Sequence, residues 1–169
     1  LAGIYRFGGA STHLGLGDTA LNGMVRNEGQ ITAGPFGAYL FAHNAENAGI
    51  IRSDGGHIAL AAGASAYLSN RSDGRGLFVE VTAPTGQATN LNDLVADGGQ
   101  VSLFGRVVNQ SGLIQANSVV RRNGRVELVA TESVTLAASS RTHADGGSVN
   151  VSAPAISHAG TIQANTAGS

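Results

Sequence analysis

One short phrase recurs along the chain and constrains its fold more than any other feature. It reads apolar residue, any residue, small residue, then Asp or Asn, usually followed by Gly. Its first positions are residues 31, 51, 70, 94, 114, 142 and 162, so the spacings are 20, 19, 24, 20, 28 and 20 residues. The copies that begin at Asn70 and Thr142 are degenerate. A period of about 22 residues predicts a solenoid in which each repeat is one coil stacked on the next.

Strand patterning flanks each phrase. After Asp97-Gly98-Gly99, for example, residues 100–104 alternate between polar or small and apolar residues, which is typical of a short strand after a Gly turn. No window has helical periodicity. Because parallel crossovers are nearly always right-handed, the chain is predicted to be all-β, a right-handed parallel β-helix with about 20–24 residues per coil and roughly 7–8 coils.

Alternate strand residues are expected to point inward and to stack in apolar columns along the solenoid. The predicted columns contain Ile31, Leu40, Ile51, Ile58, Leu60, Phe78, Leu94, Val101, Leu103, Ile114, Val126, Leu128, Val149, Val151 and Ile162.

The Asx-Gly pairs are predicted to form the corners between strands. The turn positions are Asp54, Gly55, Asp73, Gly74, Asp97, Gly98, Asn123, Gly124, Asp145 and Gly146. A column of Asp residues could hold Ca²⁺ or act on a glycoside. However, Asp and Asn both cap backbone amides in tight turns, and Asn occurs at similar corners, which favours a structural role. We therefore predict no catalytic, metal-binding or cofactor-binding residues.

The 169 residues are predicted to form one β-helix domain, expected to be a fragment of a longer solenoid. Residues 1–20 fit the repeat poorly and are expected to form an irregular first coil or a mobile end. Residues 83–92, which include Pro84 and Gly86, are predicted to form a loop that points outward.

Composition excludes several classes of protein. Charged residues make up 12% of the chain and the net charge is −1, without a basic run that would indicate nucleic-acid binding. Cysteine is absent, which excludes disulfides and thiolate metal sites. The sequence contains no stretch of about 18 apolar residues, the length that a membrane-spanning helix needs.

Two segments carry a resemblance to a known family. Residues 25–33, which read VRNEGQITA, and residues 46–63, which contain Glu46-Asn47-Ala48-Gly49 and end in Gly63, resemble filamentous-haemagglutinin-like exoproteins of two-partner secretion. In that family such a stretch lies near or just after the N-terminal secretion domain. The resemblance implies a β-helix that is exported through a dedicated outer-membrane transporter and is secreted or held on the cell surface of a Gram-negative-type bacterium.

The function expected from these observations is a non-catalytic, structural or adhesive segment of an exoprotein. A stiff rod of stacked coils would serve adhesion or, through head-to-tail association of copies, fibre formation. A host or bacterial surface receptor or glycan would be the binding partner. Two alternatives stay open: a carbohydrate-active β-helix, either polysaccharide-binding or lyase-like, and the stalk of a contact-dependent toxin or haemolysin.

Overall fold

The computed structural model describes residues 11–14, 23–64, 66–70, 77–81, 84–119 and 123–165, with side chains from residue 23 onward except in residues 66–70 and 77–80. All regular elements in these ranges are β-strands, as predicted. Within the same ranges, no helix has the length and apolarity needed to cross a membrane. Asp73 and Gly74, and most of residues 1–20, lie outside the described residues, as does the side chain of Phe78.

Eighteen strands follow one another in the described ranges. In chain order they are β1 (Ser11–Leu14), β2 (Met24–Asn27), β3 (Gln30–Thr32), β4 (Ala38–Ala42), β5 (Asn44–Asn47), β6 (Ile50–Arg52), β7 (His57–Ala62), β8 (Ala66–Asn70), β9 (Leu77–Val81), β10 (Gln87–Asn90), β11 (Asp93–Val95), β12 (Gln100–Gln110), β13 (Leu113–Gln115), β14 (Arg125–Leu136), β15 (Arg141–His143), β16 (Ser148–Ser152), β17 (Ala155–His158) and β18 (Thr161–Gln163).

Three walls, each built of parallel strands, surround one core. Wall 1 contains β4, β7, the first half of β12, the first half of β14, and β16. Wall 2 contains β2, β5, β10, the second halves of β12 and β14, and β17. Wall 3 contains β3, β6, β11, β13, β15 and β18. The parallel solenoid architecture predicted from the repeat is confirmed.

Each coil passes through walls 2, 3 and 1 in that order. Coil 1 runs from β2 to β4, coil 2 from β5 to β7, and coil 3 from β10 into β12. Coil 4 runs from the second half of β12 into β14, coil 5 from the second half of β14 to β16, and β17 and β18 begin coil 6. The described residues thus form five complete coils and part of a sixth, so the prediction of 7–8 coils was too high.

The overestimate arises because Asn70, the first position of one phrase, lies in β8 and not in wall 3. Ile51 of β6 pairs directly with Leu94 of β11, so coils 2 and 3 are neighbours although 43 residues separate these two positions. The intervening chain forms the hairpin β8–β9, whose strands pair antiparallel, and β1 pairs antiparallel with the other edge of β8. An inserted hairpin of this length mimics one repeat period.

The predicted columns are stacked in register. The first residues of the phrases pair in wall 3, in the order Ile31, Ile51, Leu94, Ile114, Thr142 and Ile162. In wall 1, Leu60, Leu103 and Leu128 form one column, and Ile58, Val101 and Val126 form another. All six are fully buried. At about 25 cal/mol per Å² of apolar surface, these columns supply the main driving force for stacking.

Predicted core residues at either end of the stack are less buried. Ile31, Val149 and Val151 pack against the core and are partly buried. Ile162 occupies the wall 3 column but is 38% exposed, because no described strand stacks on β18. Ile162 therefore holds its predicted position in the column but is covered on one side only.

Residues 83–92 do not form an outward loop over their whole length. Gln87–Asn90 is β10, a wall 2 strand that pairs with β5 on one side and β12 on the other. Residue 83 lies outside the described part of the chain. Pro84 and Gly86 suggested a loop from sequence, but they only mark the return from the hairpin into the coil.

The long spacing between Ile114 and Thr142 also has a structural account. Extra residues enter coils 4 and 5 at three places relative to their neighbours: between Asn117 and Gly124, at the bulge opposite Gly105, and between Leu136 and Arg141. All three lie between or at the ends of paired segments, so the strands keep their register.

Candidate functional site

The Asx-Gly corners between walls 3 and 1 tie successive coils together. Gly55, Gly98 and Gly146 have φ values of 70°, 70° and 71°, a conformation that favours glycine. Asp97 Oδ1 accepts a hydrogen bond from Asn117 N at 2.9 Å, and Asn117 Oδ1 accepts one from Asp145 N at 3.0 Å. Each side chain therefore caps the backbone of the next coil.

Amide side chains hold the remaining oxygens of these corner carboxylates. Gln115 Nε2 donates to Asp97 Oδ2 at 2.7 Å, and Gln163 Nε2 donates to Asp145 Oδ2 at 2.9 Å. Because Asn117 lies between Asp97 and Asp145 in the stack, the two carboxylates are separated by two coil spacings, about 9.6 Å. Asp54 Oδ2 lies 3.8 Å from Arg52 Nη1. The described residues contain no group of three His, Asp or Glu side chains that could hold a metal ion.

Asn123 and Gly124 lie at the same corner but in a different position from the one predicted. Asn117, not Asn123, occupies the Asx position of coil 4, since it bonds to both Asp97 and Asp145. Gly124 stacks between Gly99 and Gly147, the second glycines of their corners. Five extra residues separate Asn117 from Gly124, so Asn123-Gly124 resembles an Asx-Gly pair although Asn117, the fourth residue of its phrase, holds the Asx position.

A ladder of buried side-chain amides runs along the inside of wall 2. Asn27 Nδ2 donates to Asn47 Oδ1 at 2.8 Å, and Asn47 Nδ2 donates to Asn90 Oδ1 at 2.9 Å. Asn90 Nδ2 in turn donates to Gln110 Oε1 at 2.9 Å. Each rung comes from the next coil, so the ladder joins coils 1 to 4. Buried hydrogen bonds in such a chain strengthen one another.

Each rung also secures the corner between walls 2 and 3. Asn47 Nδ2 donates to Gly49 O at 2.9 Å, and Asn90 Nδ2 donates to Asn92 O at 2.8 Å. Gln110 ends the ladder, because Leu136 occupies the paired position of the next coil. The Nε2 of Gln110 donates to the backbone carbonyls Gly112 O and Arg141 O.

We define the ladder as Asn27, Asn47, Asn90 and Gln110. None of these four residues is among the predicted core columns. The signal that could have found them was the recurrence of Asn or Gln at residues 27, 47 and 110 with Gly two positions later. Asn90 does not match this pattern, because Asn92 stands where the other repeats have Gly.

The outer side of wall 1 carries a second apolar cluster. Ala59 and Ala61 point away from the core but are almost fully buried, at 0% and 3% exposure. They pack with Tyr39, Phe41, Phe104 and Val81, the last residue of β9. The hairpin β8–β9 therefore covers the outer side of wall 1 at this level.

An open groove borders this cluster, and we call it the outer groove. Its volume is about 480 Å³, and it is lined by Val81, Pro84, Phe104 and Val129 together with Gln100 and Glu127 among others. Gln100 Nε2 donates to Ser102 Oγ at 2.9 Å and to Glu127 Oε2 at 2.8 Å. Ser102 Oγ is also hydrogen-bonded to His57 Nε2 at 2.9 Å, and Arg125 pairs with Glu127. One side of the groove is thus apolar and the other is a hydrogen-bonded network.

Comparison with solved structures finds a similar fold in the crystal structure of the HMW1 secretion domain from Haemophilus influenzae. The match has a TM-score of 0.69 and 24% sequence identity, and it covers 89% of this chain and 42% of that chain. No protein-family model matches the chain, and neither does any curated protein. The fold that the sequence resemblance implied is confirmed: the chain is a parallel β-helix with the architecture of the HMW1 secretion domain.

Proposed function

We propose that the chain is a structural or adhesive β-helical segment of an exoprotein that leaves the cell by two-partner secretion. The observation that carries this proposal is the structural match to a secretion domain over 89% of the chain. The sequence resemblance in residues 25–33 and 46–63 supports the same conclusion independently. The partner in export would be an outer-membrane transporter, and the exported segment would lie outside the cell or on its surface.

The side chains of the stack support a mechanical role. Asp97 and Asp145 are held by backbone amides and glutamines within the corner, rather than pointing together into a cleft. The most buried polar groups of wall 2 bond to one another along the stack. Side chains arranged in this way stiffen a rod, because each coil is bonded to its neighbours through both backbone and side chains.

Export can be tested in a Gram-negative host by expressing the chain behind a general secretory leader, with and without the two-partner transporter that belongs to it. The proposal predicts release of the chain into the medium only when the transporter is present. A matched control is a transporter that is inserted in the membrane but lacks its periplasmic receptor region. Retention of the chain in the periplasm under all three conditions would refute the export part of the proposal.

The non-catalytic and adhesive part needs a separate measurement. The purified chain is incubated with a panel of bacterial and host polysaccharides, and both bound protein and released oligosaccharides are quantified. The proposal predicts saturable binding to a surface ligand, or none, without any change in polymer length. Time-dependent release of unsaturated or reducing oligosaccharides would establish the carbohydrate-active alternative instead.

A further inference from the structure

The outer groove continues an interface that already exists within the molecule. Val81 and Phe104 belong both to the cluster under the hairpin and to the lining of the groove. In the next coil Phe104 pairs with Val129, and in the coil after that Val129 pairs with Ser152. The apolar strip on the outside of wall 1 therefore extends one coil beyond Phe104 and then becomes polar.

Strand β9 lies at the edge of its sheet. The order in that sheet is β1, β8, β9, so among the described strands β9 pairs only with β8. An edge strand presents unpaired N–H and C=O groups to any strand that approaches it. Residues at the end of β9 and just after it, Val81 and Pro84, line the outer groove. In the described part of the chain, the end of this edge strand and the partly buried apolar strip of Phe104 and Val129 therefore meet at the outer groove.

We propose that the outer groove docks one extended strand from a partner polypeptide with apolar residues at alternate positions. The strand adds to the edge of β9 and places its apolar side chains on Phe104 and Val129. Main-chain hydrogen bonds to β9 give affinity, and the contacts with Phe104 and Val129 give specificity. Neighbouring strands, like neighbouring coils, are spaced about 4.8 Å apart along the solenoid axis. An apolar strip that extends by one coil therefore accommodates a single added strand.

The polar side of the groove restricts the partner further. Glu127 is largely covered, with 17% of its side chain exposed, and its oxygens accept hydrogen bonds from Gln100 and Arg125. A carboxylate placed beside it would be repelled, as like charges are in paired strands. The partner strand is therefore expected to present hydroxyl or amide groups on this side.

The test uses a capped, fluorescein-labelled peptide of about eight residues, a length typical of strands. It carries Val at two alternate positions and Thr at the others, so that hydroxyl groups also face Glu127. Its binding to the full chain is followed by fluorescence anisotropy. Methylation of the backbone nitrogens along one edge of the peptide should weaken binding at least about tenfold, since edge pairing depends on those N–H groups. This comparison uses the unaltered chain, so it does not depend on the folding of any variant.

Two variants locate the site. Val129→Asp should weaken peptide binding by about tenfold or more, whereas Ser152→Asp, one coil further along the same column, should change it less than about twofold. Thermal unfolding followed by circular dichroism verifies that both variants keep the fold. Absence of binding, or equal binding of both peptides and both variants, would overturn the proposal. Dimerisation of the chain through a contact that Val129→Asp abolishes would also overturn it, by making a second copy the occupant.

Discussion

Coils 1 to 4 and coils 5 and 6 have the same wall geometry but different interiors. In coils 1 to 4 the inner position near the end of each wall 2 strand is an amide of the ladder, while the paired positions in coils 5 and 6 are Leu136 and His158. The wall 3 column changes at the same level, where Thr142 follows Ile114. Leu136 is 1% exposed and Thr142 is fully buried, so both replacements lie inside the core.

These two interiors show which side chains a coil of this solenoid accommodates. A column position holds either an amide or an aliphatic side chain, and the coil is most stable when no buried polar group is left unpaired. Gln110 meets that condition below Leu136 by bonding to two backbone carbonyls. Thr142 does not meet it, because its Oγ1, like the Oγ of Ser140, is buried without a hydrogen-bond partner. We therefore expect coils 1 to 4 to be more stable than coil 5.

Breaking the ladder at its centre should have the largest effect. Asn47→Leu removes three inter-coil hydrogen bonds and leaves Asn90 Oδ1 without the amide from which it accepts, while Asn27 Nδ2 keeps its bond to Gly29 O. At about 1–3 kcal/mol for the unpaired oxygen and about 1 kcal/mol for each of the other lost bonds, the free energy of unfolding should fall by about 4 kcal/mol. The measurement is urea denaturation. Asn109→Leu, on the outer side of wall 2, is the control and should change stability by less than about 0.5 kcal/mol. Equal effects of the two substitutions would show that the ladder does not stabilise coils 1 to 4.

The corner between walls 2 and 3 offers a second way to disrupt the ordered coils. A Cβ at Gly49 would lie 2.0 Å from Gly29 O of the preceding coil, whereas a Cβ at Gly29 would meet no atom within 4 Å. Gly49→Ala should therefore destabilise the chain by about 2–3 kcal/mol through overpacking, and Gly29→Ala by less than about 0.5 kcal/mol. Thermal or urea unfolding of the two variants measures the difference. Similar stabilities would mean that adjacent coils are not in contact at this corner.

Coil 5 should gain stability when its unpaired hydroxyl is removed. Thr142→Val replaces Oγ1 with a methyl group of similar size between Ile114 and Ile162. Relief of an unsatisfied buried hydroxyl should raise the free energy of unfolding by about 1 kcal/mol. Hydrogen exchange at β15 should slow in parallel. Thr161→Val, at an exposed position on the next strand, is the control. Destabilisation by Thr142→Val would indicate that the hydroxyl has a partner in solution, such as a buried water.

The Asx corners should show the smallest effect, and one that depends on the side chain. Asp97→Ala removes the acceptor for Asn117 N and for Gln115 Nε2 and should cost about 1 kcal/mol. Asp97→Asn keeps an oxygen for Asn117 N and should cost less than about 0.5 kcal/mol. The two variants are compared by urea denaturation. A larger loss for Asn than for Ala would contradict the capping role.

Much of the fold could be predicted because the repeat encodes the stacking directly. Five of the seven phrases begin with an aliphatic residue, and these five residues, with Thr142, form one continuous wall 3 column. Glycine turns and period-two strands fix the corners and the inward faces. What failed was the coil count, since a repeat period says nothing about whether a segment stacks in the solenoid or forms a hairpin beside it.

Asn or Gln two positions before Gly marks three rungs of the ladder in the sequence, but neither the pairing of the amides nor the outer groove could be predicted from it. A buried Asn is favourable only when a partner amide lies one coil away. The partner of Asn27 is Asn47, 20 residues along the chain, whereas the next partner of Asn47 is Asn90, 43 residues along the chain. The hairpin interrupts the period between these rungs. The outer cluster depends on Ala59 and Ala61, small outward residues whose burial requires the hairpin to fold over them. A local pattern does not reveal either set of contacts, because both join residues that are distant in the chain.

Direct stacking of coil 3 on coil 2 past the inserted hairpin is the claim on which the register, the ladder and the coil count all depend. It can be tested by disulfide trapping, because the chain contains no cysteine. Arg52 pairs with Val95, and Val95 with Gln115. In the double variant Arg52→Cys, Val95→Cys the two cysteines are one coil apart and should oxidise readily to an intramolecular disulfide. In the double variant Arg52→Cys, Gln115→Cys they are two coils apart, about 9.6 Å, and should not form one. Failure of the first pair to cross-link in the folded chain, with or without cross-linking of the second, would contradict the account.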